Sequence, residues 1–113
     1  MSKLVHWEIP STDIEKSKEF YSRLFGWKTS QWSPDYALFE YDGGGGGIAL
    51  TETVPGPCIE VYIEVDDIPA ALGKVVELGG KTVTEKKEIG GGMGFLARFT
   101  DPCGVLVGLW SKG

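Results

Sequence analysis

The sequence predicts an α+β fold built from two tandem βαβββ modules, with two helices and roughly eight strands in a mixed sheet. Three observations predict it. Sliding the 113-residue chain by 54 places brings Asp13-Ile14 onto Asp67-Ile68, Leu24 onto Leu78 and Gly26 onto Gly80. Each half opens with an alternating strand followed by an Asp-headed helical segment that stops at glycine. Each helix is then followed by three short strand-like segments separated by turn signals. The chain therefore reads as one domain, residues 1–113, made of modules at about 1–54 and 55–113.

In the first module, Leu4 to Ile9 is the opening strand and Pro10 ends it. Thr12 and Glu15 form a capping-box pair that can satisfy two N–H groups at a helix start. Ile14, Phe20, Tyr21, Leu24 and Phe25 recur on one face of that helix, and Gly26 supplies its left-handed stop. Strands are expected over 27–32, 36–42 and 48–52, with Ser33-Pro34-Asp35 as a turn. The glycine run Gly43 to Gly47 lacks the following helix and the Lys of a phosphate loop, so it reads as a flexible hairpin connection. No nucleotide cofactor is expected.

The second module repeats the order. Ile59 to Val65 alternates apolar and polar residues, as a half-buried strand does. Asp67 caps a helix with Pro69 in its first turn, and Gly79-Gly80 ends it. Strands follow over 81–88, 94–100 and 105–110, with Asp101-Pro102-Cys103-Gly104 as a tight turn between the last two.

Composition narrows the function classes. Eleven Lys and Arg against sixteen Asp and Glu give a net charge of −5, the wrong sign for gripping a phosphate backbone. No nucleic acid partner is expected. No apolar run of about 18 residues exists to span a bilayer, and Met1-Ser2-Lys3-Leu4 does not lead into a secretory apolar stretch. A soluble, cytoplasmic protein with no membrane partner is expected. Cys58 and Cys103 form no CxxC pair and read as free thiols rather than a bridge.

Motifs across almost the whole chain resemble those of the vicinal-oxygen-chelate superfamily, which includes glyoxalases, bleomycin-resistance proteins and extradiol dioxygenases. They are Val5-His6-Trp7-Glu8-Ile9-Pro10 with Asp13, then Phe20-Tyr21 and Leu24-Phe25-Gly26-Trp27. Glu64-Val65-Asp66-Asp67-Ile68, Leu78-Gly79-Gly80-Lys81 and Phe99-Thr100-Asp101-Pro102-Cys103-Gly104-Val105 follow in the expected order. The resemblance implies that the modules curl their sheets into a cup. It also implies a small-molecule ligand and a homodimer. In metal-dependent members the first and last strands of each module carry the ligands, which falls here on His6, Ala49, Glu60 and Gly108.

The repeat independently makes His6 and Glu60 equivalent, since 6 + 54 = 60. Ala49 and Gly108 offer no donor, and His6 is the sole histidine, so neither a two-His-one-carboxylate site nor the two-His, two-Glu site of glyoxalase I can form within one cup. A divalent metal on His6 and Glu60 would lean on water and substrate for its other positions, which suits Mg²⁺ or Mn²⁺. A lone strand histidine is, however, more often a hydrogen-bonded structural residue than a ligand.

Glu8 shares the His6 face and is the candidate general base. Tyr62 and Trp110 are candidate pocket-lining residues, whereas Trp7, Trp27 and Trp32 read as packing. Two functions follow from the resemblance. One is a lyase or isomerase related to lactoylglutathione lyase, metal-assisted, on a small oxygenated substrate. The alternative is a metal-free protein that binds or sequesters an antibiotic or metabolite; an acidic cup would favour a cationic ligand. In an exchanged dimer, His6 would meet the partner's Glu60.

Overall fold

The computed structural model describes residues 2–53 and 59–113, so Cys58 lies outside the described residues. In chain order the elements are β1 (Lys3–Ser11), α1 (Ile14–Phe25), β2 (Lys28–Ser33), β3 (Tyr36–Tyr41), β4 (Gly44–Leu50), β5 (Glu60–Glu64), α2 (Ile68–Glu77), β6 (Lys81–Glu88), β7 (Phe95–Thr100) and β8 (Leu106–Ser111). The strand order is β2-β3-β4-β1 in the first module and β5-β8-β7-β6 in the second. β1 pairs with β4, and β5 with β8, in parallel; the β2–β3–β4 and β6–β7–β8 pairings are antiparallel. This is the α+β architecture of two βαβββ modules. Contacts group the chain into two compact units, His6–Glu60 and Val61–Gly113 with the residues up to Val5.

The first unit forms its core where alternation sends one side of each strand toward α1. Ile9, Ile14, Ala37, Phe39 and Ile48 are buried together, with Trp7, Tyr21 and Trp27 packed against them. Trp7 stacks on Phe39 at 5.7 Å and meets Trp27 edge-on at 5.8 Å. Both tryptophans therefore pack as expected. Trp32 does not: it is 48% exposed, touching Tyr36 edge-on at 6.3 Å.

Three further local expectations are corrected in this unit. The α1 cap is Asp13 rather than Thr12. Ser11 Oγ accepts the Asp13 N–H at 3.1 Å, residue 13 is extended (φ −151°), and its carboxylate accepts the Lys16 N–H at 3.2 Å. The apolar stripe of α1 buries Ile14 and packs Tyr21, but Phe20, Leu24 and Phe25 stay more than half exposed.

The third correction concerns the glycine run. Only Asp42-Gly43 turns, with Gly43 at φ +85°, and Gly44 to Gly47 are strand. Side-chain volume explains it. A Cβ at Gly46 would lie 2.5 Å from the Trp7 ring, and one at Gly47 would collide with Tyr36. These glycines admit aromatic rings against the backbone instead of loosening it.

The second unit has its own core of Ile68, Leu72, Ala97 and Leu109, joined by Ile63, Val65, Phe95 and Phe99. Asp67 caps α2 as expected, accepting the Ala70 N–H at 2.9 Å, with Pro69 in the first turn. Asp101 accepts the N–H groups of Cys103 and Val105 at 2.9 and 3.0 Å, closing the tight turn that leaves the Cys103 thiol free and exposed. Among the described residues, no helix is long and apolar enough to cross a membrane.

Candidate functional site

Residues of the first unit converge on the sheet face opposite its core. Glu8 lies against Gly47 and Pro10 against Ala49 across β1 and β4; Leu38 lies against Gly47 and Tyr36 against Ala49 across β3 and β4. His6, two places before Glu8, shares this face. The strand pairing thereby gathers three side chains spread over 30 positions of sequence.

Tyr36 joins them. Its hydroxyl oxygen stands 2.6 Å from His6 Nε2 and 2.9 Å from Glu8 Oε2. Tyr36 has one hydroxyl proton, and it donates that proton to Glu8. The bond to His6 must then run the other way, with Nε2–H donating to the phenol oxygen. Burial lowers the His6 pKa below the ordinary 6.5, because desolvation disfavours the imidazolium. The favoured state is a neutral, Nε2-protonated ring in a directed chain, His6 to Tyr36 to Glu8. Such an arrangement orients the Glu8 carboxylate and supplies it with a polarised hydroxyl.

The second unit carries Tyr62 and Trp110. Tyr62 is buried, lies against Gly108, and accepts a hydrogen bond from the Arg98 guanidinium at 2.6 Å. The guanidinium also sits 5.7 Å from the Tyr62 ring centroid. Across β7 and β8, Arg98 opposes Gly108 and Leu96 opposes Trp110, so Tyr62, Arg98 and Trp110 belong to one face. The Trp110 indole N–H donates to the Met93 carbonyl at 2.8 Å, which fixes the ring. Arg98 brings positive charge to a face that the sequence alone suggests is acidic. Glu60 opens β5 and is half-buried.

The strand register also revises the carried-over ligand places. Gly108 opposes Tyr62, whose repeat equivalent is Glu8 (8 + 54 = 62), and Glu8 opposes Gly47. Gly47, rather than Ala49, is therefore the counterpart of Gly108, because β4 begins earlier than the apolar residues after the glycine run suggest. Neither glycine has a donor, and each is covered by a tyrosine ring. Among the described residues no three His, Cys, Asp or Glu side chains gather as a metal site. A closed, all-protein metal site does not fit these residues.

Tyr36 and Arg98 were not identifiable as site residues from their local sequence. The one available signal was the alternate glycines of β4, which mark a close approach of something bulky.

Known proteins share this framework. A Mycobacterium tuberculosis protein, provisionally named glyoxylase CFP32, is 34% identical over 127 residues, covering 91% of this chain and 43% of that protein. The chain thus spans less than half the length of that relative. Among solved structures, methylmalonyl-CoA epimerase from M. tuberculosis superposes with a TM-score of 0.74 at 21% identity, covering 97% of this chain and 87% of that one. The Mn(II)-bound glyoxalase from Novosphingobium aromaticivorans gives 0.71 at 19% identity, covering 99% and 40%. At such identities the structures testify to fold alone. The family model for the Glyoxalase/Bleomycin resistance protein/Dioxygenase superfamily matches residues 3–109, and the chain belongs to that superfamily.

Proposed function

We propose that this protein is a lyase or isomerase acting on a small oxygenated molecule, with Glu8 as the base that moves a proton from a carbon beside a carbonyl. The observation that carries the reading is the His6–Tyr36–Glu8 chain on one sheet face of the first unit. Glu8 takes the proton, the C–H electron pair moves toward the carbonyl oxygen, and the protonated Glu8 returns the proton to the same or a neighbouring atom. Tyr36 holds one carboxylate oxygen in place during the transfer. The relatives lend support by name, since a glyoxylase and an epimerase are both proteins of this fold.

The experiment is proton exchange in D2O. Small hydroxy and keto acids, hemithioacetals and acyl thioesters are incubated with the protein, and loss of the carbon-bound proton is followed by NMR. Exchange that disappears in Glu8→Gln supports the reading. Saturable binding without exchange would instead favour the metal-free binding protein. That second reading draws on the ordered Tyr62, Arg98 and Trp110 face, which combines a fixed ring, a cation and a hydroxyl suited to recognising a ligand.

The metal-assisted version of the same proposal places a divalent ion on His6 and Glu60, which requires that ion to displace the Nε2 proton and the Tyr36 oxygen; metal analysis of chelator-free protein beside His6→Ala tests it. The homodimer and the cytoplasmic location also belong to this proposal. Sedimentation showing a monomer at micromolar concentration would remove the version in which His6 meets the partner's Glu60.

A further inference from the structure

Each unit places a tyrosine over a glycine at the same register position of its last strand: Tyr36 over Gly47 on β4, and Tyr62 over Gly108 on β8. In the superfamily's metal-dependent members the last strand of a module supplies a ligand side chain. Here the backbone offers no side chain, and the volume is filled by an aromatic ring arriving from another strand. In the first unit that ring ends in a hydroxyl bonded to two groups of metal-ligand type, His6 Nε2 at 2.6 Å and Glu8 Oε2 at 2.9 Å.

We infer that the Tyr36 hydroxyl takes the place of the missing β4 ligand, so that His6 and Glu8 are joined through a phenol instead of an ion. Three features of the geometry carry this. The phenol oxygen meets both partners at ordinary hydrogen-bond distances, which satisfies Nε2 and Oε2 at once. The one hydroxyl proton gives the chain a direction, fixing the His6 proton on Nε2, where a metal ligand needs a bare nitrogen. An ion at Nε2 would have to displace both that proton and the Tyr36 oxygen. Tyr36 is accordingly a positioning residue for Glu8. The inference does not depend on proton transfer by Glu8; absence of substrate exchange would leave it standing.

Because the chain has a single histidine, the test needs no resonance assignment among rivals. Long-range ¹H–¹⁵N correlation of the imidazole at neutral pH reads the tautomer directly, with amide spectra confirming that each variant is folded. The wild type is expected to show the Nε2-protonated ring, unaltered by a modest excess of Zn²⁺. Tyr36→Phe keeps the ring over Gly47 but removes the oxygen; the tautomers should mix, and Zn²⁺ should bind through His6 about tenfold more tightly, the worth of one lost hydrogen bond. Glu8→Ala is the second variant. It removes the acceptor of the hydroxyl proton, so Tyr36 turns that proton toward Nε2 and the Nδ1–H form rises. A wild-type imidazole that gives up its Nε2 proton to stoichiometric Zn²⁺ would overturn the inference. So would an unchanged tautomer in both variants.

Discussion

The Tyr36 hydroxyl occupies the volume that a side chain at residue 47 would need, so Tyr36 and Gly47 specify each other. Glycine in a strand interior ordinarily costs about 0.5–1 kcal/mol relative to alanine. Gly47→Ala should nonetheless destabilise the protein by about 1–3 kcal/mol, because the phenol must leave His6 and Glu8. Urea unfolding gives the magnitude. The imidazole ¹⁵N signal shows whether the His6–Tyr36 bond is what was lost.

The second unit makes a parallel case with an internal control. A Cβ at Gly108 would lie 2.5 Å from Tyr62 Cδ2 and 2.6 Å from Cε2, and Tyr62 is buried and held by Arg98. Gly108→Ala should cost about 1–3 kcal/mol. A Cβ at Gly73, inside α2, would meet nothing within 4 Å, so Gly73→Ala should gain about 0.5–1 kcal/mol. Thermal unfolding of the two variants should shift in opposite directions.

Helix capping separates two readings of the α1 start. Asp13→Ala should cost about 0.5–2 kcal/mol, and Asp67→Ala a similar amount, since each carboxylate holds an N–H of the first turn. Thr12→Ala should stay within about 0.5 kcal/mol. An equal loss at Thr12 and Asp13 would restore the capping box anticipated from Thr12 and Glu15.

What was legible in the sequence followed from local chemistry. Asp67, Pro69 and Gly79 mark α2 because capping and turn preferences act over a few residues. The 54-residue offset also holds for the two helix caps, Asp13 and Asp67, for the same local reason. Later in each module the offset drifts, and the register of β4 shows why: Glu8 and Gly47 meet by cross-strand pairing, which no local pattern encodes. The glycine run misled for a related reason. Without side chains it has no alternation to read, although its glycines are there to admit Trp7 and Tyr36. Tyr36 was invisible as a site residue because its partners lie 28 and 30 positions away.

His6 should give the stability a defined pH dependence. Its pKa is lowered in the folded state by burial, so below the ordinary 6.5 the unfolded chain takes up a proton that the folded chain resists. The sign is therefore a loss of stability as pH falls below about 6.5, levelling off beneath the folded-state pKa, with the full contribution present above that range. Acidic groups add their own slopes, so the measurement is the difference in urea midpoint between wild type and His6→Gln across pH 5 to 8. That difference should narrow toward acid.

The most direct measurement of Glu8 as the base compares binding with exchange in the same samples. For any small oxygenated compound whose carbon-bound proton the wild type exchanges in D2O, Glu8→Gln should bind within about tenfold of wild type yet exchange at least about a hundredfold more slowly. Tyr36→Phe should fall between the two. Exchange at the wild-type rate in Glu8→Gln, with binding intact, would contradict the role assigned to Glu8.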